Sequence, residues 1–186
     1  MKCNNYIKFM SMNDKTLFEI TDLKLSYKLL DNKKLNSRFI YKLNKCYNLK
    51  YLNLEMNVIK KLPENMFKHL TNLVELNLSY NYCDTLPFNI FDNLVNLKEL
   101  NLYNNPFTTL PANIFDKLNN LEKINGYEIK LDKNMLKIGC QKYTLDYWID
   151  NFSDIAYQNN ILNPSDILIY QVIVNKYYNQ YKNSIN

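Results

Sequence analysis

The chain has 186 residues, a formal net charge of +5, 47% apolar side chains and only 2 glycines. That length suits one core or one solenoid with flanks, and 2 glycines cannot build a phosphate-cradling loop. The cysteines stand apart at positions 3, 46, 83 and 140 with no C-x-x-C pair, so no metal-type or redox spacing is written in them.

The charge is uneven. Residues 1–61 hold 13 Lys and Arg against 5 acids, residues 62–126 hold 4 against 7, and residues 127–186 hold 6 against 6. A basic third attracts acidic partners or nucleic acid. Here it contains a single arginine, Arg38, and no glycine-aromatic motif, so a solvated lysine-rich end is the plainer reading. Asn, Lys, Tyr and Ile abound while Ala is scarce. That bias is the mark of an AT-rich genome, such as that of a giant virus or protist, and it weakens arguments from their abundance.

Residues 1–19 read as a polar, irregular N-terminal cap, with Phe9, Leu17 and Phe18 as covering apolars. From Ile20 an L-x-x-L-x-L pattern appears in worn form at Ile20, Leu23 and Leu25, with Lys28 where later copies place Asn. Residues 20–48 are five longer than the later unit. They read as a degenerate first repeat with a helical outer segment around Leu35–Leu43, back in register at Leu43, Cys46 and Asn48. Cys46 and Cys83 occupy columns that elsewhere hold Leu, Ile or Phe, so both read as buried apolar residues.

Then one 24-residue unit is written three times, at 49–72, 73–96 and 97–120. Leu52, Leu76 and Leu100 share a column, as do Leu54, Leu78 and Leu102. Asn57, Asn81 and Asn105 follow, then Ile59, Cys83 and Phe107. The second half repeats Leu62-Pro63, Leu86-Pro87 and Leu110-Pro111, then Phe67, Phe91 and Phe115, then Leu70, Leu94 and Leu118.

The alternating half predicts a short strand with one buried face. Stacked copies make a parallel sheet. The Asn amides are placed to satisfy buried turn backbone. Leu-Pro suits the start of a short helical or 3₁₀ return segment, because proline fixes φ and lacks a donor. The Phe of that segment is expected to stack from copy to copy. An amphipathic helical array fits less well, given the repeated Leu-Pro.

Leu121 and Ile124 begin a fourth strand that fails at Gly126, so the regular repeats span 49–126 and the solenoid ends near Tyr127. Residues 127–186 read as a mixed strand and helix cap. Tyr127–Leu131 and Met135–Ile138 are expected strands. Thr144 is placed to cap a helix through Phe152, with Trp148 on its apolar side. Asn163-Pro164 starts another helix to about Tyr181, with Ile167, Tyr170, Val174, Tyr177 and Tyr181 along one side. The β-branched run at Ile169, Val172, Ile173 and Val174 leaves a strand open there.

These columns resemble the leucine-rich repeat family. The resemblance implies an α/β fold, a right-handed solenoid or horseshoe with a concave parallel β-sheet, short helical or 3₁₀ convex segments and a C-terminal helical cap. Secreted members usually carry paired cysteine caps, which are missing here. With no apolar leader in MKCNNYIKFM and no apolar stretch long enough to span a membrane, the expectation is a reducing, cytoplasmic location.

The register lists the outward strand positions. Tyr51, Glu75, Glu99 and Lys123 fall in one column with Asp22; Asn53, Asn77 and Asn101 in the next; Tyr103 in the third, with Tyr80 beside it. These nine, Asp22 aside, are the expected partner-binding residues. Tyrosine buries large area at low entropy cost and keeps a hydroxyl, so the tyrosines are the anchors, and Glu75 and Glu99 select a basic feature. The Asn column also reads as surface residues bonding along the sheet.

Catalytic patterns are missing. The lone histidine, His69, has no ligating neighbours in sequence. Cys140 is followed by Gln141 and Lys142, not by the Cys-x-Asp of the much larger ubiquitin-ligase domain found after the repeats of some bacterial relatives. The reading is a non-enzymatic protein-protein interaction module or scaffold, monomeric, with no cofactor, no metal and no membrane. A second reading is a substrate adaptor for a ubiquitin ligase or similar complex, docking through the C-terminal helices. Nucleic-acid binding through residues 1–61 is third.

Overall fold

The computed structural model describes residues 1–159 and 163–185. Its described strands form one sheet in chain order, nine strands wide. They are β1 (Lys2–Cys3), β2 (Asp22–Lys24), β3 (Tyr51–Asn53), β4 (Glu75–Asn77), β5 (Glu99–Asn101), β6 (Lys123–Ile124), β7 (Tyr127–Asp132), β8 (Met135–Ile138) and β9 (Gln141–Thr144). β1 to β6 pair in parallel and β6 to β9 antiparallel.

The parallel register follows the leucine columns: Leu23, Leu52, Leu76, Leu100 and Ile124 are successive partners, all buried. Behind them Phe67, Phe91 and Phe115 stack with centroids 6.4 and 6.3 Å apart and rings within 12° of parallel. No repeat buries this stripe alone; each supplies the wall for the next.

Asn57, Asn81 and Asn105 form the expected buried ladder. Asn81 Nδ2 donates to the carbonyls of Leu54 and Leu78 at 3.0 Å, and its Oδ1 accepts from Ile59 N at 3.2 Å. Asn57 reaches into the degenerate repeat, where it accepts from Lys28 N and Leu30 N. The ladder is therefore complete on the side that faces Lys28. A second asparagine ladder runs along the surface: Asn48, Asn72, Asn96 and Asn120 donate to the carbonyls of Phe18, Tyr47, Thr71 and Val95.

The convex segments of the regular repeats are runs of turns, closed by i to i+3 bonds such as Met66 N to Pro63 O (3.0 Å) and Leu70 N to Phe67 O (3.1 Å). A 24-residue unit leaves little chain for more. The longer first repeat has room for a true helix, α3 (Ser37–Asn44), capped by Asn36, whose side chain accepts from Phe39 N.

Residues 1–19 are ordered rather than irregular. They carry β1, α1 (Tyr6–Ser11) and α2 (Asp14–Phe18). Asn5 and Asn13 cap the two helices, each accepting at 2.9 Å from the residue three ahead. In so asparagine-rich a sequence those caps do not stand out. Phe9 and Leu17 are buried, while Phe18 is exposed.

At the other end, Asn125-Gly126 turns the chain in two residues with both φ positive (50° and 83°), which makes β6 and β7 a tight hairpin. β7 and β8 fall where expected; β9 is additional. α4 (Leu145–Gln158) starts at its Thr144 cap and runs past Phe152, with a kink at Asn151. Trp148 is core, its Nε1 donating to Leu136 O at 2.8 Å.

α5 (Pro164–Ile185) is helical through the β-branched run. Its buried set is wider than one stripe. Ile169, Tyr170, Val172, Ile173, Val174 and Lys176 are covered, and Ile167, Tyr177 and Tyr181 lie partly buried against the core. The helix packs on α4 and, through Lys176 and Ser165, on the last repeat. Residues 160–162 and 186 of the expected cap lie outside the described residues.

Candidate functional site: the hollow sheet face

Alternation along β2 to β6 sends every second side chain out of the core. Tyr51, Asn53, Glu75, Asn77, Glu99, Asn101 and Lys123 line one groove of about 550 Å³. The first row runs Asp22, Tyr51, Glu75, Glu99, Lys123 as direct partners, and the second runs Lys24, Asn53, Asn77, Asn101.

Tyr80 and Tyr103 stand apart from that groove and touch each other edge to face, with centroids 5.6 Å apart. Tyr80 lines a second hollow with Tyr82, Pro106 and Phe107. The three expected anchors are half-open: Tyr51 is 40%, Tyr80 38% and Tyr103 42% exposed.

The Asn column bonds locally rather than along the sheet. Oδ1 of Asn53, Asn77 and Asn101 accepts from the backbone N–H two residues on, at 2.8, 3.0 and 3.0 Å. These bonds shape the exit from each strand. Their Nδ2 groups have no protein partner among the described residues and are available on the groove wall.

Charge is arranged along the first row. Glu99 is paired with Lys123 at 2.6 Å, and that carboxylate raises the Lys123 ammonium above its usual range. Glu75 forms no ion pair among the described residues. Burial first, then the neighbouring Glu99 carboxylate, raises its carboxyl above the usual range.

Asp22 is the residue the sequence undervalued. It is only 7% exposed, and its Oδ1 has no hydrogen-bond partner among the described residues. The register placed it in the outward column, but nothing in the sequence announced its burial. That burial comes with β1, which sets Lys2 directly opposite Asp22.

The remaining reactive types are scattered. His69 is exposed, its ring meeting Tyr47 edge-on at 6.2 Å. Cys140 is exposed; Cys3, Cys46 and Cys83 are buried and free. Among the described residues no group of three or more His, Cys, Asp or Glu could hold a metal ion, and no helix is long and apolar enough to cross a membrane.

A family model described as Leucine rich repeat matches residues 29–82 and 72–125, together more than half of the chain. A chain in the solved Drosophila Toll–Spatzle complex is similar at 30% identity and a TM-score of 0.52, over 57% of this chain and 14% of that one. The leucine-rich repeat domain of APL1B is similar at 26% identity and a TM-score of 0.47, over 55% and 30% of the two chains. Listeria monocytogenes InlP gives 28% identity and a TM-score of 0.46, over 56% and 27%. This chain thus covers less than a third of each of those chains. No curated protein matches it significantly.

Proposed function

The chain belongs to the leucine-rich repeat family, whose fold is generally a protein-protein interaction module, and from that premise we propose that it binds a protein partner on the hollow face of its sheet, without catalysis. The observation that carries this reading is the groove itself: a row of unlike side chains held in fixed register by a repeating core. A rigid scaffold gives pre-organised recognition at little ordering cost. Tyr51, Tyr80 and Tyr103 are the aromatic anchors, and Glu75 selects a basic feature, since Glu99 already has Lys123.

The similar Drosophila chain was itself solved in a complex, which supports the interaction class without naming a partner here. Free buried cysteines suit a reducing, cytoplasmic setting. For the adaptor reading, Tyr170 and Val174 of the α5 stripe are buried, and Ile167, Tyr177 and Tyr181 lie partly buried against the core, so the stripe offers a partner only part of its surface.

The test is capture from native lysate by the wild type and by a Tyr51, Tyr80 and Tyr103→Ala variant, with circular dichroism confirming that both are folded. A protein retained only by the wild type supports the concave-face reading. Equal retention by both rejects it and moves the site to the cap or the basic end.

A further inference from the structure

Resting on that reading, we propose that the groove takes one arginine side chain of the bound protein, held between the carboxylates of Asp22 and Glu75 with its guanidinium against the Tyr51 ring.

The register supplies the frame. Asp22, Tyr51 and Glu75 are direct partners on β2, β3 and β4, so acid, ring and acid follow at strand spacing, about 5 Å apiece. A guanidinium carries five donors in a plane. It can serve two carboxylates and lie on an aromatic face together, which an ammonium cannot do as well.

The independent observation is the state of Asp22. A carboxylate more than nine-tenths buried, lining the groove, with an oxygen that meets no donor among the described residues, is a group without its counterpart. Native proteins rarely leave such an acceptor bare. Glu75 is likewise unpaired, and its carboxyl is pushed up by burial and by Glu99, a burden that an arriving cation relieves.

The neighbouring charges narrow the ligand. Lys123 is engaged by Glu99. Lys2 and Lys24 flank Asp22 along the groove and pair with neither acid among the described residues. They repel an extended run of positive charge. The groove therefore selects a single arginine within an otherwise neutral or mixed segment, not a polybasic stretch.

The experiment is an NMR titration of the full chain with N-acetyl-arginine amide and with its neutral isostere N-acetyl-citrulline amide, at low salt. The expected result is a saturable shift of β2 to β4 amides with the arginine probe. Binding should weaken roughly tenfold or more with citrulline, and likewise for arginine in Asp22→Asn and Glu75→Gln. Thermal melting of each variant shows that the fold persists; Asp22→Asn should melt no lower than wild type. Equal response to both probes, or undiminished arginine binding in a folded Asp22→Asn chain, overturns the proposal. If the arginine probe gives no saturable shift while lysate capture still depends on the three tyrosines, the arginine pocket is wrong and the concave-face reading survives. If the probe binds as expected while capture ignores the tyrosines, the pocket stands and the wider reading falls.

Discussion

Lys176 Nζ donates to the carbonyl oxygen of Leu118 at 2.7 Å, across 58 positions of sequence. The same ammonium reaches Phe115 O at 2.9 Å. Thus a buried cation on α5 adds a donor to two carbonyls of the last convex turn, whose counterparts in the earlier repeats, such as Phe91 O and Leu94 O, accept from their own turn. Burial pulls that ammonium from 10.5 down to about 8. The unfolded chain keeps its proton up to 10.5, so between these values it binds more protons than the folded chain, and stability rises with pH, by up to about 1.4 kcal/mol per unit. Tyr170 sets the upper limit. Its hydroxyl is raised by burial, so above the ordinary value of 10.0 the unfolded chain ionises first and stability falls. Urea midpoints measured across this range should rise and then drop. Lys176→Met should flatten the rise and leave the drop.

The two asparagine ladders should differ in weight. Asn81→Ala strips the buried Ile59 N–H of its partner and leaves the carbonyls of Leu54 and Leu78 with one asparagine amide each, from Asn57 and Asn105. The expected loss is about 2–3 kcal/mol. Asn96→Ala removes one exposed bond to Thr71 O and should cost about 1 kcal/mol or less. Paired denaturation curves check the contrast.

Phe91 is packed between Phe67 and Phe115. Phe91→Ala should cost about 3–5 kcal/mol, and Phe91→Leu considerably less. Because coupling passes between neighbours, hydrogen exchange in the Ala variant should rise in the repeats on both sides of the gap.

Tyr27, Met56, Tyr80 and Asn104 share one column and all have φ between 50° and 57°. Only the asparagine suits that left-handed conformation. Tyr27 is exposed, so Tyr27→Asn should stabilise the chain by about 0.5–1 kcal/mol. Its melting temperature should rise without change elsewhere in the spectrum.

Thiol reactivity follows burial. Burial raises Cys46 and Cys83 to about 12, and Cys3 is buried as well. A thiol reagent should titrate one group, Cys140, in the native chain and all 4 cysteines after denaturation.

The repeated half of the fold was legible because each column does one job. Leu52, Asn57 and Phe67 stand for every copy, and their spacing alone gives sheet, ladder and stack. What went unread lacked a copy for comparison. Asn5 and Asn13 cap α1 and α2, but in this composition an asparagine carries little signal. Asn125-Gly126 is a strong hairpin turn, yet in repeat register it looks like a damaged strand. Lys176 sits in a buried set whose width comes from packing on two sides, which no single periodicity reveals. At the site, the outward columns were readable and the charge pairing was not. Whether Glu99 is free, or Asp22 covered, depends on rotamers and on the unpredicted β1.

The ends and the middle of this protein obey different rules of change. After β6 the chain reverses at Gly126, and α5 seals the last turn through Lys176, so nothing can be appended there without displacing the seal. Between Asn57 and Asn105, by contrast, each junction makes the same bonds as the next. Copying or excising one whole unit, such as 73–96, joins surfaces that already fit. The length of the binding face is therefore adjustable from within, by gene duplication or by design, while both termini stay as they are.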